Sequence, residues 1–285
     1  MRALVTGATG FIGRHVVAHL LEKNHEVVAM GRSVSKLSEI PWSSSVRFIT
    51  HDIHGPIGEF LSRCGSIDVV VHLAWQGLPD CRSGFHVEEN LPANYRFLRS
   101  LVESGVNHLL VTGTCLEYGM QFGRLGEDTL TSPIIPYGQA KDSLRKSMQT
   151  LQQVVPFTLQ WLRVFYLYGA GQHPNSLLSQ LDRAIKRGDN SFDMTTGEQL
   201  RDYLPVEEVA RRIGLLLENP QVNGVINCCS GTPISVRRLV ERRIAESGAM
   251  IRLNLGRHPY PDYEPFAFWG SSDKLEALTQ NSEPA

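Results

Sequence analysis

The glycine spacing at Gly7, Gly10 and Gly13 constrains the fold more strongly than any other feature of the chain. These glycines follow an apolar strand pattern at residues 3–6 and open a helix pattern at Phe11–Glu22. In a strand–turn–helix context, glycines allow a tight turn and close approach of the backbone to a pyrophosphate, and the helix N-terminus offers unpaired N–H groups. The segment therefore predicts a dinucleotide site formed by Gly7, Thr9, Gly10, Phe11, Ile12 and Gly13.

Strand patterns rich in β-branched residues alternate with helix patterns through the first 165 residues. The strand patterns lie at residues 3–6, 26–30, 46–50, 68–73, 108–112 and 158–164, and the helix patterns lie at residues 11–22, 86–104 and 137–154. Strands separated by helices form βαβ units and hence a parallel sheet. We therefore expect an α/β fold with a Rossmann-type, doubly wound parallel sheet.

The pattern changes after Gly169, where turn-rich segments separate the remaining elements. Helix patterns lie at residues 176–187, 206–218 and 236–247, and a strand pattern lies at residues 224–228. We predict a Rossmann domain at residues 1–168 and a smaller C-terminal substrate-binding lobe at residues 169–285, interleaved with elements that return to the sheet. Residues 280–285 are predicted to be frayed.

Composition limits the classes of partner. The formal net charge of −1 argues against a nucleic-acid or anionic-membrane partner, and no apolar run approaches the roughly 20 residues that span a bilayer. The five cysteines are irregularly spaced and the ten histidines form no ligand-spaced cluster, so we expect a reducing, cytoplasmic setting and no metal. The chain also starts without a basic leader before an apolar stretch, which argues against secretion.

The end of the second strand pattern bears on cofactor choice. Sites selective for NAD place an acidic residue near Gly31 to bind the ribose 2′-hydroxyl, and no acidic residue stands there. Arg32, with Ser33 or Lys36, is suited to a 2′-phosphate, although a solvated surface arginine is the alternative interpretation. The sequence therefore favours NADP(H), with NAD(H) as the other candidate.

Tyr137 and Lys141 are four residues apart and share one face of a helix pattern. A cation beside a phenol lowers the tyrosine pKa, so this tyrosine can exchange a proton with a carbonyl or carbinol oxygen. Upstream, Thr114 stands at the carboxyl end of the fifth strand pattern, the edge where open α/β sheets bind ligands. We therefore predict that Thr114, Tyr137 and Lys141 are catalytic.

The glycine turn, Thr114 and the Tyr137/Lys141 pair together closely resemble the extended short-chain dehydrogenase/reductases, which include nucleotide-sugar epimerases, dehydratases and reductases. The resemblance covers nearly the whole chain. It implies a nucleotide-diphosphate sugar as substrate, and a homodimer formed through the helix patterns at residues 86–104 and 137–154. It also implies that Asn90 steadies the site.

The resemblance assigns further roles residue by residue. It implies cofactor contacts at Asp52, Ile53, Leu73, Ala74, Thr112, Tyr137 and Lys141, in addition to the glycine turn and Arg32. It implies substrate contacts at Trp75, Thr114, Tyr166, Arg201 and Arg257. Arg201 is expected to bind the substrate diphosphate, a role that suits the guanidinium fork. Tyr166 replaces the family's usual asparagine, Arg257 is either a second phosphate contact or a surface charge, and Glu117 and Tyr118 are expected to line the sugar region.

The residues after Thr114 distinguish between reactions of the family. Dehydratases of the family carry Asp and Glu where this chain has Cys115 and Leu116, so dehydration is disfavoured. Enzymes resembling GDP-fucose synthase use a cysteine at the position of Leu116, so Cys115 is interpreted as a packing residue.

Simple hydride transfer remains. The resemblance implies a reductase of a nucleotide-diphospho-4-keto-6-deoxyhexose, with a dTDP-sugar favoured, in deoxysugar or surface-polysaccharide biosynthesis. An NAD-dependent nucleotide-sugar 4-epimerase is the alternative. A dinucleotide-binding sensor without catalytic activity is a third hypothesis, although such proteins usually lack the tyrosine or the lysine.

Overall fold

The computed structural model describes residues 1–35, 37–78 and 80–280. The predicted 2′-phosphate contact at Lys36 and residues 281–285 of the predicted frayed end lie outside the described residues. The strands are β1 Arg2–Thr6, β2 Glu26–Gly31, β3 Arg47–Thr50, β4 Val69–His72, β5 His108–Thr114, β6 Gly123–Leu125, β7 Thr158–Val164, β8 Tyr166–Tyr168, β9 Ser191–Asp193, β10 Leu200–Arg201, β11 Tyr203–Pro205, β12 Gly224–Cys228, β13 Ile234–Ser235, β14 Arg252–Asn254 and β15 Phe268–Gly270.

The α-helices are α1 Phe11–Glu22, α2 Gly58–Cys64, α3 Leu91–Glu103, α4 Pro136–Leu151, α5 Leu177–Arg187, α6 Val206–Leu217, α7 Val236–Ser247 and α8 Asp273–Gln280. Three short 3₁₀ turns occupy Leu37–Glu39, Ser43–Ser45 and Cys115–Glu117. One π-helical turn, His86–Asn90, directly precedes α3.

Seven strands form one parallel sheet in the order β12-β7-β5-β4-β1-β2-β3. The predicted α/β, Rossmann-type parallel sheet is therefore confirmed. Every residue of β4 and β5 is buried, as expected for parallel strands covered on both faces. The strand order reverses between β1 and β4, because β2 and β3 lie on one side of β1 and β4 lies on the other. Open α/β sheets bind ligands beyond the carboxyl ends of the strands at such a switch point.

Helices cover both faces of this sheet. On one face, apolar side chains of α1 and α6, including Val17 and Ile213, form a buried cluster with β1 and β2. On the other face, α3 and α4 contribute Phe97, Leu98 and Leu144 to a second cluster. A third, smaller core lies between α5 and α7. The sheet, including its carboxyl edge, is thus packed between helices on both faces.

Two element boundaries differ from the sequence prediction in ways that affect the site. Strand β5 runs two residues further than predicted, because Gly113 and Thr114 continue the pairing with β7. The helix predicted at residues 86–104 is divided into the π-helical turn and α3, which has a proline near its first position. Proline lacks an N–H and its ring clashes with the carbonyl four residues earlier, so Pro92 cannot lie inside a continuous α-helix.

Short strands connect the later chain to the sheet's carboxyl edge. They pair in twos as β10–β13, β11–β8, β14–β9 and β15–β6. Pairing of β15 with β6 brings residues 268–270 beside residues 123–125, close to the turn that follows β5. Strand β12 returns to the main sheet beside β7. Residues far apart in sequence therefore surround the end of β5.

Candidate active site

The turn between β1 and α1 has the geometry expected of a phosphate-binding turn. Gly7 adopts φ +65°, and a Cβ there would lie 2.9 Å from Ala74 N. A Cβ at Gly13 would lie 2.2 Å from the Gly7 carbonyl oxygen, so neither position accepts a side chain. The N-cap position of α1 is Gly10, so no side chain caps the first N–H groups of the helix. The first turn of α1 also contains no acidic residue. The first N–H groups of α1 therefore suit an anionic ligand.

A cleft of about 210 Å³ opens above this turn. It brings together eight of the predicted cofactor contacts and Trp75, and it adds four residues that the sequence analysis missed. The predicted ones are Gly7, Thr9, Gly10, Arg32, Asp52, Ile53, Leu73 and Ala74, and the additional ones are Met30, Gly31, His51 and Gln76. Phe11, Ile12 and Gly13 begin α1 beside the cleft. The glycine turn and the positive end of α1 fit a dinucleotide, whose nicotinamide ring supplies or accepts a hydride when bound.

Arg32 lies at the rim of the cleft with its side chain exposed. Its Nη1 donates to Gln76 Oε1 over 2.9 Å, and Gln76 Nε2 donates to Asp52 Oδ1 over 2.9 Å. At Gly31, a Cβ would lie 3.0 Å from Phe48 Cζ and 3.3 Å from Thr9 Oγ1. An acidic side chain at Gly31 would therefore require its neighbours to move, whereas the guanidinium at Arg32 already faces the cleft.

A buried polar network fixes the strand end that supports the cleft. Thr6 Oγ1 accepts from the Leu73 and Ala74 N–H groups over 3.1 and 3.2 Å, and it lies 3.0 Å from His72 Nδ1. His72 Nε2 lies 2.7 Å from Asn94 Oδ1. Burial lowers the pKa of His72 to about 3, so the ring is neutral at physiological pH. The sequence analysis missed Thr6, although its polar side chain at a strand end was a signal.

The three predicted catalytic side chains meet beyond the carboxyl end of β5. Thr114 ends β5, Tyr137 lies in the first turn of α4, and Lys141 lies one turn later. The Thr114 side chain acts on the Tyr137 phenol and lowers its pKa, against the larger effect of burial. Lys141 Nζ donates to the Thr112 carbonyl oxygen over 2.7 Å. The tyrosine backbone is held by a hydrogen bond from Tyr137 N to the Cys81 carbonyl oxygen at 3.2 Å.

The electrostatics of this group differ from the sequence expectation. Burial raises the pKa of Tyr137, and the nearby Glu117 carboxylate raises it further. Burial also lowers the pKa of Lys141 to about 7, against the opposing effect of Glu117. The tyrosine pKa is therefore raised and not lowered as the sequence predicted, because the effect of burial is the largest. The Lys141 ammonium itself is directed to the Thr112 carbonyl oxygen and the Trp75 ring. Tyr137 is therefore a neutral phenol, ready to donate a proton.

Glu117 and Tyr118 were expected to line the sugar region, and that prediction is wrong. Both side chains are fully buried behind the site. The Glu117 carboxylate accepts from the Thr114 N–H at 2.9 Å, from Trp161 Nε1 at 3.0 Å and from Arg163 Nε at 2.8 Å. The Tyr118 hydroxyl lies 2.8 Å from Asn227 Oδ1. Glu117 therefore anchors the backbone that carries the threonine hydroxyl.

The arginine expected to bind the substrate diphosphate is occupied by another partner. Arg201 is 3% exposed, and its Nη2 lies 2.9 Å from Glu264 Oε2. Its Nη1 donates to the Leu200 and Phe266 carbonyl oxygens over 2.8 and 3.1 Å. The guanidinium is thus bound to protein acceptors in this conformation, and a diphosphate would have to compete with Glu264. The sequence analysis missed Glu264, which lies 63 residues from Arg201.

The other predicted substrate residues have distinct surroundings. The Tyr166 ring packs against Phe268, with 6.0 Å between ring centroids, beside the Arg201 guanidinium. Arg257 is exposed, and its N–H donates to the Met194 carbonyl oxygen over 2.9 Å. Cys115 is buried in a cluster with Phe268, and burial raises the pKa of its thiol. Cys115 therefore acts as a packing residue.

The described ranges provide no group of three or more His, Cys, Asp or Glu side chains arranged to hold a metal ion. Over the same residues, 1–35, 37–78 and 80–280, none of the helices is both long and apolar enough to cross a membrane.

The parallel sheet, the glycine turn and the adjoining Thr114, Tyr137 and Lys141 define an oxidoreductase that binds a nicotinamide dinucleotide. Residues 3–229 match the model of the NAD dependent epimerase/dehydratase family. The chain belongs to this family, which confirms both the resemblance found in the sequence and the prediction of an NAD-dependent enzyme.

Three similar proteins illustrate the range of the family. The dTDP-6-deoxy-L-talose 4-dehydrogenase (NAD(+)) of Aggregatibacter actinomycetemcomitans is 33% identical over 280 residues, which cover 95% of this chain and 100% of that protein. The dTDP-6-deoxy-L-talose 4-dehydrogenase (NAD(P)(+)) of Kitasatospora kifunensis is 28% identical, covering 92% and 83%. The structure of UDP-glucuronic acid 4-epimerase from Bacillus cereus with UDP-glucuronic acid and NAD superposes with a TM-score of 0.85 at 25% identity, covering 100% and 95%.

Proposed function

We propose that the chain is an NAD(P)H-dependent reductase of a nucleotide-diphospho-4-keto-6-deoxyhexose, most favourably a dTDP-sugar. The observation that carries the proposal is the meeting of Thr114, Tyr137 and Lys141 at a site where positions 115 and 116 are Cys and Leu. This set supports hydride transfer with a proton donor but offers no carboxylate at those positions for eliminating water. Two relatives named as 4-dehydrogenases of dTDP-6-deoxy-L-talose support chemistry at C4 of such a sugar.

The proposed reaction assigns each side chain a role. The Thr114 hydroxyl donates a hydrogen bond to the C4 carbonyl oxygen and orients it, and the neutral Tyr137 phenol transfers its proton to that oxygen as C4 is reduced. A reduced nicotinamide dinucleotide held by the glycine turn and the cleft above it would supply the hydride. Lys141 provides positive charge on the same helix face and stabilises the phenolate that remains. Solvent then returns a proton to Tyr137, which completes the balance of the reduction.

A nucleotide-sugar 4-epimerase is the second candidate, because the same three side chains serve oxidation followed by reduction at one carbon. The similarity in fold to the Bacillus cereus UDP-glucuronic acid 4-epimerase supports this candidate. An epimerase keeps its NAD bound, whereas a reductase exchanges its cofactor in each cycle. Arg32 at the cleft rim favours exchangeable NADP(H), and hence the reductase.

The test is a turnover assay with defined substrates. Purified protein is mixed with enzymatically made dTDP-4-keto-6-deoxyglucose and NADPH, and the absorbance of NADPH and the mass of the sugar product are followed. The expected result is consumption of NADPH in step with formation of the 4-hydroxy sugar. Interconversion of UDP-hexoses by protein carrying bound NAD, without reduction of any nucleotide 4-keto sugar, would support the epimerase. Binding of NADPH without turnover of either substrate class would support a sensor.

The nucleotide base is tested separately by thermal shift with dTDP, GDP, CDP and UDP. A ligand that binds only the native state raises the melting temperature, and at equal concentration the increase grows with the logarithm of its affinity. We expect dTDP to give the largest increase, and an equal response to all four would contradict selection of thymidine.

Replacing Arg32 by Glu is expected to change cofactor preference. The variant loses the only guanidinium at the rim of the described cleft and adds a carboxylate suited to the ribose 2′-hydroxyl. A lost charge-assisted hydrogen bond corresponds to roughly tenfold or more in affinity. We therefore expect KM for NADPH to rise by about that factor while KM for NADH falls, as measured by steady-state kinetics. The matched control is Arg238→Glu on α7, and an unchanged ratio of the two KM values would contradict NADP(H) selection.

We further propose that the chain acts in the cytoplasm as a homodimer through α3 and α4, with residues 169–285 providing most of the sugar site. Helices α3 and α4 lie side by side on one face of the sheet, so their outer surfaces offer a continuous area for self-association. Light scattering coupled to gel filtration is expected to give twice the mass of the 31.8 kDa chain. A monomeric mass at micromolar concentration would contradict the dimer.

A further inference from the structure

Trp75 contacts both members of the proposed acid–base pair. The centroid of its ring lies 4.0 Å from Lys141 Nζ, a cation–π geometry. Its ring also meets the Tyr137 ring edge-on, with 5.9 Å between centroids and 67° between planes. Because the residue was expected only as a substrate contact, these two interactions point to a further role.

His86 holds the indole in this position. Trp75 Nε1 donates to His86 Nδ1 over 3.1 Å, and an indole nitrogen can only donate, so Nδ1 is the acceptor. On the other side of the ring, His86 Nε2 lies 2.8 Å from the Asp80 carbonyl oxygen, which can only accept. The buried His86 ring is therefore a neutral tautomer with its proton on Nε2. That tautomer fixes the orientation of the indole.

The π-helical turn explains why His86 faces Trp75. His86 and Asn90 are the first and last residues of the turn, and both side chains are fully buried. Asn90 Nδ2 donates to the Gln76 carbonyl oxygen over 2.8 Å, next to the residue that His86 holds. The turn thus fixes residues 75 and 76 together. Such turns are often found at functional sites.

Apart from the Trp75 ring, few groups interact with the buried Lys141 ammonium. The residue is 2% exposed, and its Nζ donates a hydrogen bond to the Thr112 carbonyl oxygen. Glu117 is the carboxylate that acts on it, and the neutral rings of Tyr137 and His72 are the other titratable groups nearby. A buried ammonium with one carbonyl partner is costly, and an aromatic face partly replaces the lost water.

We propose that Trp75 is a positioning residue for Lys141, and that His86 orients Trp75 for this purpose. The indole face keeps the ammonium charged and directed along the catalytic helix, while its edge limits movement of Tyr137. The catalytic consequence rests on the proposed function, whereas the effect on Lys141 itself does not.

The first experiment measures Lys141 directly. Competitive chemical labelling followed by mass spectrometry gives the pKa of Lys141 in the wild-type chain, Trp75→Leu and Trp75→Phe, each with and without NADPH. Loss of a desolvated cation–π contact is expected to lower this pKa by about one unit in Trp75→Leu. Trp75→Phe keeps an aromatic face, so its shift is expected to be smaller. An unchanged or raised pKa in a folded Trp75→Leu variant would overturn the proposal.

A second pair of variants tests the role of His86. His86→Asn keeps an acceptor near the position of Nδ1, whereas His86→Leu removes it. We expect His86→Leu to lower the pKa of Lys141 and to move the alkaline limit of NADPH oxidation to lower pH, and His86→Asn to restore much of both. Equal behaviour of the two variants would contradict orientation through the indole N–H. If the wild type reduces no 4-keto sugar, the proposed function fails, and the labelling experiment still decides the role of Trp75.

Discussion

Tyr137→Phe is expected to lower kcat of the proposed reduction by about 10²- to 10⁴-fold, with little change in NADPH affinity. The variant removes the proposed proton donor, the phenol on whose pKa the Thr114 side chain acts. It keeps the ring, whose centroid lies 5.9 Å from that of Trp75 and 5.3 Å from that of His86. The fold and the cofactor cleft should therefore persist. Steady-state rates give the loss of kcat, and titration of NADPH fluorescence gives the affinity.

The matched control removes a different buried hydroxyl near the same strand end. Tyr118→Phe removes the hydrogen bonds from the Tyr118 hydroxyl to Asn227 Oδ1 at 2.8 Å and to the Gly126 carbonyl oxygen at 2.9 Å. That variant is expected to lose stability and to keep its proton-transfer chemistry. A Tyr137→Phe variant with activity within about tenfold of wild type would contradict the role of the phenol.

The sequence was sufficient to predict the parallel sheet, and it proposed a candidate site at the carboxyl edge of that sheet. Runs of β-branched residues and helical periodicity are local properties, so the strands that build the parallel sheet could be read directly from the chain. The glycine turn could be read for the same reason, because Gly7, Gly10 and Gly13 are three residues apart and act within a single strand–turn–helix unit. Thr114, Tyr137 and Lys141 needed the further rule that parallel strands bring their carboxyl ends to one edge.

Contacts between side chains that are far apart in the chain could not be predicted from the sequence. Arg201 and Glu264 are 63 residues apart and meet only because the later short strands converge beside β15. Trp75 and His86 are 11 residues apart, but their contact depends on a π-helical turn that a helix pattern does not distinguish from an α-helix. Glu117 follows a strand end, where side-chain direction is set by tertiary packing. The sequence could therefore propose candidate reacting groups but could not show which side chains orient them.

Glu117→Leu is expected to lower the free energy of unfolding by roughly 3–5 kcal/mol. The Arg163 guanidinium is 1% exposed and lies 2.8 Å from the Glu117 carboxylate. Removing the carboxylate leaves a buried positive charge without its partner, which costs more than the ion pair itself contributes. Two further donors, Trp161 Nε1 and the Thr114 N–H, lose their acceptor at the same time. Urea unfolding measured by fluorescence gives the change in free energy.

Two matched variants separate the charge effect from simple loss of a side chain. Glu103→Leu removes an exposed carboxylate paired with Arg99 on α3, and it is expected to change stability by less than about 0.5 kcal/mol. The double variant Glu117→Leu/Arg163→Met removes both charges of the Glu117–Arg163 pair and leaves Arg145 paired with Asp142, so it is expected to be more stable than Glu117→Leu alone. Equal stability of the single and double variants would contradict an uncompensated charge as the cause.

The double variant also separates stability from catalysis. Even where removal of both charges restores the free energy of unfolding, the Thr114 N–H still lacks the acceptor that held it at 2.9 Å. We therefore expect the double variant to remain impaired in kcat while its NADPH affinity approaches that of the wild type. Full recovery of kcat together with stability would show that the carboxylate serves only the fold. Persistent loss of kcat would instead show that a group fully buried behind the site sets the position of the hydroxyl that orients the substrate.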